Sequence, residues 1–187
     1  MSPKHPFLSR RSTLLMGMSG ALLPTVAKAD KPSALTIPKD DVKPDGPPAL
    51  SWEDLIPPGT PYSEIIAEGE IDRVNDRWKP VFDEHGTKLN HKFDGQTVQI
   101  SGFIVPFGVT TGGVREFLLA PRQSVCSHVA PPPPNQIVLA SSEEPIPSNL
   151  LWAAVRMTGT LKAEPLSTSI AEVGYQLSVD QTEMFFG

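Results

Sequence analysis

Thr97-Val98-Gln99-Ile100-Ser101-Gly102-Phe103-Ile104-Val105-Pro106 is the stretch whose reading decides the fold. Val98, Ile100 and Gly102 alternate with Thr97, Gln99 and Ser101, and Phe103 to Val105 continue the run. This period of two is that of a strand with one buried face. Asp94-Gly95 just before it is a turn signal. Gly102, in the middle of the run, marks a bend in a strongly coiled strand.

Further strands follow toward the C-terminus. Thr110-Thr111-Gly112-Gly113 reads as a turn, and Arg115 to Ala120 as a second strand that Pro121 ends. Gln136 to Ala140 reads as a third, and Ser141 to Ser148 as a polar, proline-containing loop. Leu151 to Leu161 is a fourth, with Gly159 near its end, and Ser169 to Val179 a fifth. Glycines inside the first and fourth runs let strongly coiled strands turn a barrel corner. The expectation is a mainly β protein whose residues 95–187 form a small five-stranded OB-like barrel.

Toward the N-terminus the pattern changes. Residues 49–94 read as a short helical and irregular extension. Ser51 before Trp52-Glu53-Asp54-Leu55 is an N-cap with acids in the first turn, stopped by Pro57 and Pro58. Ile65, Ile66, Ile71, Val74 and Trp78 fit amphipathic helical turns. Residues 30–48 carry five prolines among charges and read as a disordered linker, too poor in large apolar groups to offset ordering.

Residues 1–29 read as an export signal peptide. Lys4, Arg10 and Arg11 form a positive n-region, Leu14 to Val26 is apolar, and Ala27-Lys28-Ala29 offers small residues for cleavage near Ala29/Asp30. The apolar run is shorter than the roughly 17–25 residues that span a bilayer. Ser9-Arg10-Arg11-Ser12-Thr13-Leu14 also resembles a twin-arginine export motif; the same arginines satisfy a general secretory n-region. The expected destination is the periplasm, soluble and without a stable membrane anchor once the signal is removed. Cleavage leaves 12 basic against 21 acidic residues, a net charge of −9. That balance excludes the basic face of a nucleic-acid-binding domain and opposes tight binding to anionic lipid.

Cys126 is the only cysteine, so no internal disulfide forms and the thiol needs another reason. It lies in Ser124-Val125-Cys126-Ser127-His128-Val129-Ala130-Pro131-Pro132-Pro133-Pro134-Asn135-Gln136. Four consecutive prolines make a stiff polyproline II rod, rising about 3.1 Å per residue. In an extended segment Cys126 and His128 point to one side. A thiolate and an imidazole together suit zinc or copper(I), with His85 and His91 as candidate additional ligands. Against this, free cysteine is often a small buried core residue, and His128 can simply bond carbonyls beside the rod. A thiolate–imidazole pair is also a nucleophile, but no oxyanion motif or orienting acid accompanies it. Asn135 turns the chain from rod to strand and Gln136 bonds loop carbonyls, or both contact a ligand. The loop is expected along the barrel surface, with Cys126 mostly buried and His128 at the mouth of a shallow pocket.

Gly102 to Pro106, Arg115 to Pro121 and Cys126-Ser127-His128-Val129 with Pro131 to Gln136 resemble a bacterial family, the domain of unknown function 3299 family. Trp52 to Pro58 and Trp152 to Leu161 also fit, and Ala130 departs from the pattern by separating Val129 from the prolines. The resemblance implies an exported protein without an assigned reaction. Members that lie beside metal-linked, chiefly zinc, transporters associate it with metal handling. The expected function is a periplasmic, non-enzymatic binding or accessory protein that handles zinc or copper(I) through Cys126 and His128, or assists an inner-membrane transporter. The alternatives are an interaction module that docks Pro131, Pro132, Pro133, Pro134, Asn135 and Gln136 onto a transporter or another periplasmic protein, and a cysteine-dependent enzyme.

Overall fold

The computed structural model describes residues 46–74, 77–106, 112–123 and 129–185. The long first run is strand β4 (Thr97–Pro106), preceded by β1 (Ala49–Leu50), β2 (Ile65–Asp72) and β3 (Arg77–Phe82). Strands β5 (Val114–Ala120), β6 (Val138–Ile146), β7 (Ala154–Lys162), β8 (Leu166–Ser167), β9 (Glu172–Val173) and β10 (Tyr175–Met184) follow. The sheet runs β4-β5-β6-β10-β7 and closes by pairing β7 with β4. Only the β6–β10 pair is parallel within this ring. Five strands in the order first, second, third, fifth, fourth make a closed Greek-key barrel of the OB type, as expected. β1 adds in parallel to β4, Ala49 opposite Gln99 and Leu50 opposite Ile100.

β4 closes the ring because both of its ends are shared. Thr97 to Phe103 pair with β7, and Phe103 to Pro106 with β5. Gly102 sits where the partner changes. A Cβ there would lie 2.8 Å from the Ala120 carbonyl oxygen and 2.9 Å from the Trp52 ring. At Gly159 a Cβ would overlap the Ser178 carbonyl oxygen, beside the register shift between Val179 and Gln181. Both glycines therefore allow the strands to approach at a barrel corner.

Alternation sorts the side chains into two layers. Val98, Ile100, Ile104, Phe117 and Leu119 belong to the main core with residues of β6, β7 and β10. Val105, Leu118, Ala120 and Leu139 face the other way and form a second cluster with Ile137 and Val173, against which Ile170 and Ala171 pack.

Several boundaries differ from the expectation. The segment from Ile65 to Phe82 is not helical: β2 and β3 form an antiparallel hairpin, with Ile71 opposite Trp78 and Ile65 opposite Phe82. The apolar spacing fitted both patterns, but Gly69 has φ 69°, and β-branched isoleucines and Pro80 favour a hairpin over a helix interior. Among the described residues, the rest of the extension contains the short strand β1 and single 3-10 turns: Trp52–Leu55, Glu84–Thr87 and His91–Phe93. The third strand does not end at Ala140 but continues to Ile146. Its exposed polar residues face outward, and Pro145 falls where the pairing with β5 shifts register. Residues 134–136 form a 3-10 turn before it. The fourth strand starts at Ala154, because Trp152 has φ 68° and belongs to a turn. The fifth runs from Tyr175 to Met184, while Glu172–Val173 pairs separately with β8. The export signal and most of the linker lie outside the described residues.

Candidate functional site

The candidate site is the connection between β5 and β6. Cys126 and His128 lie in residues 124–128, outside the described residues, so their mutual geometry carries no argument below. Both flanks are described. Arg122 Nη2 donates to the Ala130 carbonyl at 3.0 Å, joining the flanks of the segment. Gln123 Nε2 donates to the Trp152 carbonyl in the β6–β7 turn. Tyr62 is 53% exposed, but desolvation of its hydroxyl raises the phenol above its ordinary pKa, and the charge of Arg122 offsets part of that.

The proline tract is largely covered rather than open to solvent. Pro132 and Pro133 are buried, and Pro131 and Pro134 are half-buried. A proline has no N–H to satisfy, so burying it leaves only its carbonyl to pair. The carbonyls of Pro133 and Pro134 find donors here: Gln136 N–H donates to Pro133 at 2.8 Å, Ile137 N–H to Pro134 at 3.1 Å, and Gly174 N–H to Pro134 at 2.7 Å.

Asn135 and Gln136 are 1% and 3% exposed, which turns their side chains into internal links. Asn135 Nδ2 donates to the carbonyls of His85 at 2.9 Å and Lys88 at 3.1 Å. Gln136 Nε2 donates to the carbonyls of Trp52 at 2.9 Å and Asn135 at 3.0 Å. The end of the tract thus holds two 3-10 turns of the N-terminal extension against the barrel. Trp52 completes the joint, its Nε1 donating to the Ser101 carbonyl at 2.8 Å. Gln136 does bond carbonyls, but those of Trp52 in the extension and of neighbouring Asn135 rather than loop carbonyls across the tract. The six residues proposed as a docking surface are largely turned inward, and beside them Val129 is exposed.

Tyr175 ties the same turns from within the core. Its fully buried hydroxyl donates to the Leu55 carbonyl at 2.6 Å and accepts from the Asn90 N–H at 2.6 Å. Burial pushes the phenol up to about 12, with the Asn90 N–H acting in the opposite direction. Asp83 caps the turn at Glu84. Its carboxylate accepts from Ser63 Oγ at 2.7 Å, His85 N–H at 3.0 Å and Glu64 N–H at 3.2 Å. These bonds, chiefly that from Ser63, hold it below the usual carboxylate range.

His85 lies at this joint, its Nδ1 3.2 Å from Lys88 Nζ, which also pairs with Glu84. His91 is exposed on the following turn. Among the described residues no three His, Cys, Asp or Glu side chains are grouped to hold a metal ion. The sequence reading missed Arg122, Gln123 and Trp152 as the fastening of the loop. Arg122 was the detectable one, a donor-rich side chain after a strand-ending proline and facing a donor-poor proline tract.

A closed OB-like barrel with a fastened loop between its second and third strands defines this protein as a scaffold-and-loop domain. The chain belongs to the DUF3299 family: the family model, described as a protein of unknown function (DUF3299), matches residues 52–184. A crystal structure of a DUF3299 family protein (PA4066) from Pseudomonas aeruginosa PAO1 is similar to it, at 27% identity and a TM-score of 0.58. That match covers 76% of this chain and 98% of the other. No curated protein matches.

Proposed function

We propose that this is an exported, periplasmic, non-enzymatic binding protein whose β5–β6 loop presents Cys126 and His128 as ligands for zinc or copper(I), in support of an inner-membrane metal-linked transporter. The observation that carries the reading is the fastening of both loop ends. Gln123 is tied to Trp152 on one side, the largely buried Pro132 to Gln136 segment anchors the other, and Arg122 joins the two flanks through Ala130. A binding group gains affinity when its ordering cost is met in the fold rather than at the moment of binding. Soft thiolate and imidazole donors two residues apart suit these two metals. Remaining positions fall to water, a partner's donor, or His85 or His91.

The same burial weakens the alternative in which the proline tract docks onto a partner, since Pro132, Pro133, Asn135 and Gln136 already use their surface internally. The test is metal analysis of mature protein purified without a histidine tag. A bound zinc or copper(I) ion that is lost in both Cys126→Ser and His128→Ala is the expected result. Metal content unchanged in both variants, or none after loading the wild-type chain with each ion, removes the proposal.

A further inference from the structure

Six of the ten large apolar side chains exposed among the described residues fall between Tyr62 and Val81, on or beside the β2–β3 hairpin. The hairpin is a separate two-stranded sheet, so among the described residues one edge of each strand is unpaired. A lone hairpin is marginal in water, and an exposed strand edge is a template for a further strand. The two edges differ in chemistry. β3 carries Arg77, Lys79 and Pro80, charges and a missing donor of the kind that blunts an edge. β2 reads Ile65-Ile66-Ala67-Glu68-Gly69-Glu70-Ile71-Asp72, with neither lysine nor proline. Its pairing shifts register at Ile65/Ala67 and Ala67/Glu70, and the Glu68 carbonyl accepts from Trp78 Nε1 at 2.6 Å, so the regular edge is Glu70 to Asp72. Ile66 is 65% exposed. Among the described residues, Glu64, Glu68 and Glu70 have no ion-pair partner.

Charge selects the occupant. From Tyr62 to Asp72 there are four acids and no basic residue. Pairing β2 with β2 of a second copy would set two acidic rows side by side, which is destabilising. An anionic membrane surface is disfavoured by the chain's net charge of −5. We infer that the outer edge of β2 docks an extended segment of another protein in which apolar residues alternate with lysine or arginine. Main-chain bonds supply the strand addition, while the isoleucines and carboxylates select the side chains.

The probe is a short fluorescent peptide alternating valine and lysine, compared with its valine–glutamate counterpart, added to the full mature chain. The basic peptide should bind, weaken with salt, and slow hydrogen exchange at the amides of Ile65 to Asp72. Glu68→Lys and Ile66→Lys should each weaken it about tenfold, a change of about 1.4 kcal/mol. Equal binding of the two peptides, or slowed exchange elsewhere with none in β2, overturns the inference. So does a homodimer that Ile66→Lys dissociates, or binding to anionic-lipid vesicles that the same variant abolishes. The exchange pattern and the peptide comparison use the unaltered chain, so they decide the matter even if a variant does not fold.

Discussion

Replacing Tyr175 by phenylalanine removes a single oxygen and leaves the ring that fills the core. That oxygen donates to the Leu55 carbonyl and accepts from the Asn90 N–H, both at 2.6 Å. A buried group left without its partner costs about 1–3 kcal/mol. The Asn90 N–H retains a longer contact to the Leu55 carbonyl, 3.3 Å, so the expected loss is toward the lower part of that range, about 1–2 kcal/mol. In a domain of this size that corresponds to a fall in Tm of roughly 2–8 °C. The pH dependence adds a second signature. An unfolded tyrosine ionises near pH 10, whereas the folded hydroxyl holds its proton to about 12. The stability from the neutral hydroxyl is therefore complete below about pH 10 and is lost as pH rises toward 12. The phenylalanine variant lacks this loss, so the two stability curves converge at alkaline pH. Urea denaturation of both proteins from pH 7 to about pH 11 measures the gap. Equal stability at pH 7, or a gap that stays constant up to pH 11, refutes the role given to the hydroxyl.

Gln136→Leu strips the Trp52 carbonyl of its buried donor and should cost about 1–3 kcal/mol; hydrogen exchange should quicken in Trp52–Leu55, and unchanged protection there counts against the joint. Gly159→Ala drives a methyl group into the Ser178 carbonyl oxygen and should cost about 3 kcal/mol or more by strain, read by thermal denaturation; a wild-type Tm would contradict the described β7–β10 approach. The Asp83 carboxylate has a depressed pKa, so its contribution is present above the unfolded pKa, about 3.9, and is lost as pH falls through the folded value. The stability gap between wild type and Asp83→Asn should therefore narrow in acid, and a gap that widens below pH 4 argues against those hydrogen bonds. Arg122→Ala should free the bridge to Ala130 and weaken metal loading without altering the far-ultraviolet circular dichroism; full loading with unchanged affinity separates the bridge from the site.

Sequence by itself located the barrel strands around Val98, Phe117, Val138, Val155 and Leu177, because the period-two burial of a strand is written into the residues of that strand alone. It also marked Gly102 and Gly159 as corners, and Ser51 as the N-cap of a short helix, which the structure makes a single 3-10 turn. It did not separate helix from hairpin between Ile65 and Phe82, where the apolar spacing serves both and the cross-strand partners decide. Nor did it reveal the pairing of β6 with β10, or the continuation of β6 through Pro145, since both depend on the register of another strand. The proline tract shows the limit most directly. Its stiffness follows from four rings in succession, but whether it faces water or the core depends on who donates to its carbonyls. Those donors include Gly174 N–H, and the amides of Asn135 and Gln136 in turn reach His85, Lys88 and Trp52, 47 to 84 positions away. Hydrogen-bond partners so distant along the chain are set by the closing of the barrel, so only the tertiary structure could turn a segment that reads as a docking surface into the clasp that holds the extension in place.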